Sequence, residues 1–136
     1  MRATVLALCL ATIGLPASAL SQECDPEDES QMGMNICADA AYRAADARLN
    51  KAYGAVRAAT DDNAGSRRLL VEAQRAWIAF RDAECAFSTE DSKEGSIYPM
   101  LMAECLESVT DERTKQLEAY IECPEGDLSC PTPAAQ

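Results

Sequence analysis

The residues able to do chemistry in this chain are its cysteines and its carboxylates. The 136 residues include seven cysteines, 23 Asp plus Glu, and no histidine. The missing imidazole removes the commonest general base and the commonest metal ligand. No serine or cysteine has a histidine to activate it as a nucleophile. Glu72, Asp82 and Glu84 fall on one predicted helix among polar neighbours, which describes a solvated face better than a buried acid–base pair. The cysteines are scattered, whereas a zinc site draws on tight pairs. No glycine-rich phosphate loop follows a strand, because no strand pattern is present. What remains is disulfide formation and binding by charge. The chain reads as a protein that is not an enzyme and uses no cofactor and no metal.

The N-terminus says where those cysteines work. Arg2 precedes an apolar run over residues 3–15, then Pro16 and the triplet Ala17-Ser18-Ala19. A basic start, a short apolar core and an Ala-x-Ala site make a secretory signal peptide over residues 1–19. The run is too short for a membrane span. Cys9 invites a lipid-attachment reading, but almost no apolar core precedes it and a second apolar run follows. It is read as a residue of the discarded peptide. Removal of residues 1–19 takes away one basic residue and no acidic one, moving the net charge from −11 to −12. Such a charge opposes nucleic acid and anionic lipid and favours a cationic partner. Six cysteines remain, 24, 37, 85, 105, 123 and 130, and an even count in an exported chain predicts three disulfides. The expected location is periplasmic or secreted.

The elements that position these residues are helices. Residues 22–29 are acidic and carry Pro26. Ser30 is a candidate N-cap. Residues 31–59 lack proline and place Ala38, Ala41, Tyr42, Ala45, Leu49, Ala52, Tyr53 and Val56 at helical spacing. Residues 60–65 are a turn by composition, and Ser66 or a near neighbour caps a second helix. There Leu69, Leu70, Ala73, Ala76, Trp77, Phe80, Ala83 and Phe87 recur at threes and fours, so Trp77 and Phe80 are expected to dominate the core. Residues 88–95 are polar and end that helix. Ser96 is the expected cap of a third helix, with Pro99 in its first turn. Leu101, Cys105, Val109, Leu117, Tyr120 and Ile121 carry it on until Pro124.

Three helices with short connections predict an all-α fold, a small antiparallel three-helix bundle running up, down, up. The domain plan is residues 1–19 as signal peptide, 20–122 as the helical domain and 123–136 as a tail. The longest helix would span about 44 Å, which sets the two ends far apart. Disulfide Cα atoms sit within about 7 Å, so the pairing expected is Cys85–Cys105, Cys24–Cys37 and Cys123–Cys130. The first four cysteines share one end, so exchange among them stays open. Arg81 and Asp82 follow Trp77 by four and five residues. They suit either a recognition patch or, as favoured here, a structural role. In the latter Arg81 lays its stem along the bundle and pairs with a carboxylate on a neighbouring helix, as Arg113 can.

Several blocks resemble a known family. They are Cys37, Ala45-Asp46 and Leu49-Asn50-x-x-Tyr53; then residues 74–85 (QRAWIAFRDAEC); then Gly95-Ser96-Ile97, Cys105-Leu106 and Thr110-x-x-Arg113-x-x-x-Leu117. Together they resemble the LprI-like lysozyme-inhibitor family, over about residues 24–120. The resemblance implies a small helical protein of the cell envelope that inhibits lysozyme by protein–protein binding. This chain departs from the named member by lacking its lipid-anchor arrangement, so no membrane tether carries over. It also adds the acidic tail from Cys123 to Cys130.

A cationic lysozyme, or another envelope protein, is therefore the expected partner. The candidate contact region is the loop over residues 88–98, where Glu90, Asp91 and Glu94 lie beside Ser96 and Tyr98. The Cys85–Cys105 bridge would brace it and lower the ordering penalty of binding. The alternative is a structural or accessory periplasmic protein-binding module without lysozyme inhibition, which an exposed apolar patch would favour.

Overall fold

The computed structural model describes residues 23–124 and 126–132; the signal peptide expected at 1–19 lies outside them. Three helices form, α1 (Gln31–Ala59), α2 (Ala64–Ser88) and α3 (Tyr98–Ile121), with a 3-10 turn at Glu90–Ser92 between the last two. Among the described residues there is no strand. Asn35 meets Ser96, and Arg48 meets Asp111, so α1 and α3 run side by side in one direction. Cys85 meets Cys105, and Gln74 meets Arg113, so α2 runs the opposite way.

Local chemistry fixes the helix ends. The Gly33 N–H donates to Ser30 Oγ at 3.1 Å, so Ser30 caps α1 as its sequence position suggested. For α2 the cap is Asn63, whose Oδ1 accepts from the Ser66 N–H at 3.0 Å. The cap is thus a near neighbour of Ser66, and Ser66 is the residue it caps. The start of α3 differs from expectation. Ile97 occupies the cap position with no side-chain bond, and Pro99 sits in the first turn. The Ser96 carbonyl is instead engaged by Asn35 Nδ2 at 3.1 Å.

The core is narrow. Leu49, Ala52, Val56, Leu70 and Leu117 form it, with Tyr53, Trp77, Tyr120 and Ile121 packed around them. Ala45, Ala52 and Ala103 are buried in α1 and α3, and their small side chains let these two helices approach closely. Gly33 permits another close approach, because a Cβ there would fall on the Asp28 carboxylate and carbonyl. Three disulfides close the frame: Cys24–Cys37, Cys85–Cys105 and Cys123–Cys130. In the tail, the Asp127 N–H donates to the Pro124 carbonyl at 3.2 Å, and Thr132 Oγ1 donates to the Tyr120 carbonyl.

The rotation of α2 corrects the sequence reading. Phe80, expected in the core, is 56% exposed, and Leu69 and Phe87 are 57% and 81% exposed. The buried residues are Leu70, Gln74, Arg81 and Cys85, with Trp77 half-buried between them. The reason lies in Cys85. Its sulfur must reach Cys105 on α3, which turns the 70–74–77–81–85 line inward. The more apolar line beside it is turned out.

Candidate functional site

The loop between α2 and α3 is built from short-range hydrogen bonds. Thr89 closes α2 by donating from Oγ1 to the Cys85 carbonyl at 2.7 Å, and is itself buried. Glu90–Ser92 make one 3-10 turn. The Gly95 N–H donates to the Ser92 carbonyl at 2.8 Å, and the Tyr98 N–H donates to the Gly95 carbonyl at 3.1 Å. A Cβ at Gly95 would stand 3.2 Å from that Ser92 carbonyl, so this turn is tight.

Two ties fasten the loop to the bundle. On one side the Cys85–Cys105 bridge, with Cα atoms 5.6 Å apart, joins the end of α2 to α3. On the other, Asn35 of α1 holds the Ser96 carbonyl and is itself oriented by Gln31 Nε2, which donates to Asn35 Oδ1 at 2.9 Å. Asn35 was not singled out from sequence. The only signal was an amide four residues after Gln31, a spacing that puts both on one face of a helix.

Each residue expected at this site can now be placed. Glu90, Asp91, Glu94 and Ser96 are all exposed on the loop. Lys93 Nζ lies 3.4 Å from the Glu90 carboxylate and offsets part of its charge. Tyr98 is half-buried at the first position of α3. It lines a groove of about 370 Å³ with Asp39, Tyr42, Met102 and Leu106. The loop thus exposes three carboxylates and ends at a groove that Tyr98 lines and that they do not. The Cys24–Cys37 bridge adds the segment holding Asp25, Glu27, Asp28 and Glu29 to the start of α1, at the same end. Hydrogen bonds from the Ser30 side chain and backbone hold the Asp28 carboxyl below its ordinary value of 3.8. What this end can do chemically is bind cationic groups around an apolar contact.

The other motif residues act as internal pins. Arg81 is 8% exposed, and its guanidinium lies 5.2 Å from the centre of the Trp77 ring and 5.7 Å from that of Tyr42. It donates from Nε to Asp82 at 2.9 Å and stands 3.8 Å from Asp46 on α1. Arg113 is also buried, yet it meets no carboxylate among the described residues. Its Nε donates to Gln74 Oε1 at 3.2 Å and its Nη1 to Gln116 Oε1 at 3.1 Å. The two arginines therefore pin α2 at two levels, one to α1 and one to α3.

A family model described as Lysozyme inhibitor LprI matches residues 22–117. The chain is 42% identical over 139 residues to the uncharacterized protein R02472 of Rhizobium meliloti (strain 1021), covering 92% of this chain and 99% of that protein. It is 33% identical over 113 residues to the uncharacterized protein YecT of Escherichia coli (strain K12), covering 73% and 69%. No solved structure gives a match. The family match runs from the first stapled segment through the buried Leu117 and takes in both arginine pins, so the chain belongs to the LprI lysozyme inhibitor family.

Proposed function

We propose that this protein works outside the cytoplasm, in the periplasm or secreted, as an inhibitor that binds a cationic lysozyme through its Glu90–Tyr98 end. The observation that carries the reading is the loop itself: Glu90, Asp91 and Glu94 exposed together on a segment tied at both ends. A braced loop loses little freedom on binding. The chain's net charge of −11 steers a cationic partner toward it over distances that salt shortens to about 8 Å at physiological strength. The description of the matching family supports the partner class. Binding by surface complementarity needs no reaction, so the protein acts as a stoichiometric ligand.

The test is lysozyme turnover with disulfide-intact protein in excess, at low and physiological salt. Inhibition that weakens with salt, and falls at least about tenfold in the Glu90→Gln, Asp91→Asn, Glu94→Gln triple variant, is the expected result. Undiminished lysozyme activity at micromolar excess would refute it. That outcome would leave the accessory protein-binding reading, which the exposed Phe80 and Phe87 favour.

A further inference from the structure

The apolar line that α2 turns outward has a strict period. Leu69, Ala73, Ala76, Phe80, Ala83 and Phe87 are all exposed, and their spacing alternates four and three without a break. That is the seam of a left-handed two-helix coiled coil, in which alternate layers face a second helix. A helix with one buried face needs only the line through Leu70 and Cys85. The second line, about 27 Å long at 1.5 Å per residue, has no partner within the described chain.

We propose that this seam docks a second copy of the chain, with the two α2 helices antiparallel about a two-fold axis passing close to Ile78. In this register Leu69 faces Phe87 of the second copy, Ala73 faces Ala83, and Ala76 faces Phe80. Every seam residue finds a seam residue, and each Phe80 ring meets a small side chain across the axis. The flank matches as well. Ala79 lies one residue from the axis in each copy, which allows close approach there, and Arg75 comes within one residue of the level of Asp82 of the second copy. Arg75 has no ion pair among the described residues.

A groove beside the seam makes the orientation specific. Leu69, Leu70 and Ala73 line a space of about 430 Å³ with Val56, Tyr120 and Pro131. Phe87 is the most exposed aromatic side chain of the helix at 81%. The antiparallel register brings Phe87 of each copy to the lip of the other's groove, at Leu69. A parallel pair would set Phe87 against Phe87 and leave both grooves empty. The antiparallel contact is the same patch on both copies, so it closes at a dimer.

The contact is a single helix pair, at the low end of specific interface sizes, so the dimer is of micromolar strength. Both copies carry the same negative charge, so added salt tightens the dimer. That response is opposite in sign to the one expected for a cationic lysozyme. The proposal also leaves residues 90–98 out of the seam, so it stands or falls separately from the inhibitor reading.

Sedimentation velocity on disulfide-intact protein tests it, from about 1 to 500 μM and at low and high salt. A monomer–dimer equilibrium that strengthens with salt is expected. The Phe80→Asp, Phe87→Asp double variant should stay monomeric throughout, with its melting temperature retained because both rings are exposed. Under mild oxidation Ala79→Cys should link two chains and Ala86→Cys should not, since position 79 lies one residue from the two-fold axis and position 86 lies eight residues from it. A monomer at 500 μM in high salt overturns the proposal, as does a dimer indifferent to the double substitution. A dimer that links through Ala86→Cys and not Ala79→Cys overturns the register.

Discussion

Replacing Arg81 by alanine measures how α2 is held. The guanidinium sits between the Trp77 and Tyr42 rings, on α2 and α1, in a site that is 8% exposed. Each desolvated cation–π contact contributes about 1 kcal/mol, so the pair contributes about 2. Alanine keeps Cβ, so two buried methylenes of the stem are lost at about 0.8 kcal/mol each, which adds just under about 2 more. The Asp82 carboxylate is 57% exposed and the Asp46 carboxylate 42% exposed, so solvent screens both ion pairs to a few tenths of a kcal/mol. Arg81→Ala should therefore destabilise by about 4 kcal/mol. For a domain near 100 residues that is a fall in Tm on the order of 15–20 °C. Arg81→Met keeps most of the stem and loses the charge, so it should show about half the loss. Asp46→Asn should change stability by under about 0.5 kcal/mol. Urea or thermal unfolding followed by circular dichroism reads all three. A Tm for Arg81→Ala within about 3 °C of the parent would refute the claim that this side chain pins α2.

Four further outcomes follow from the same structure. Replacing Cys85 and Cys105 together by serine opens a bridge of sequence separation 20. Urea unfolding should show a loss of about 3 kcal/mol. Thr110 is buried, and its Oγ1 has no hydrogen-bond partner among the described residues. Thr110→Val should hold Tm or raise it, by up to about 1 kcal/mol in stability, and a clear fall would show that the hydroxyl is satisfied. Gly33→Ala pushes a methyl into the Asp28 carboxylate, so Tm should drop by several degrees while α2 and α3 keep their protection in hydrogen exchange. The folded-state pKa of Asp28 lies below 3.8, through hydrogen bonds from the Ser30 side chain and backbone. Its contribution to stability is then present above pH of about 4 and fades as pH falls through the folded value. An NMR titration that finds Asp28 at or above 3.8 would contradict the bond.

Much of the frame was legible because its causes are local. Ser30, the proline-free run after it and the alanine spacing mark α1 from Gln31 to Ala59. The cysteine positions, read against helix length, lead to the three bridges that form. The facing of α2 was not legible from hydrophobicity. Its outward line is the more apolar of the two, while the inward line holds Gln74 and Arg81, whose partners Arg113, Tyr42 and Asp46 lie on other helices. A periodicity score cannot weigh a polar side chain by a partner that is distant in sequence. The loop carboxylates were readable from composition, but the Asn35 tie and the Tyr98 groove depend on α1 lying beside α3, which only the packed structure supplies.

The order of the three bridges has a consequence for how the chain matures. Each cysteine joins the next one along, at separations of 13, 20 and 7 residues, and no bridge crosses another. For a chain exported N-terminus first, as proposed above, every second thiol of the set from Cys24 to Cys130 would emerge when its proper mate is the sole one still unspent. A simple thiol oxidant then completes the set, and no reshuffling enzyme has a wrong pairing to undo. On that route vectorial delivery alone would resolve the ambiguity that six cysteines present to a chain oxidised all at once.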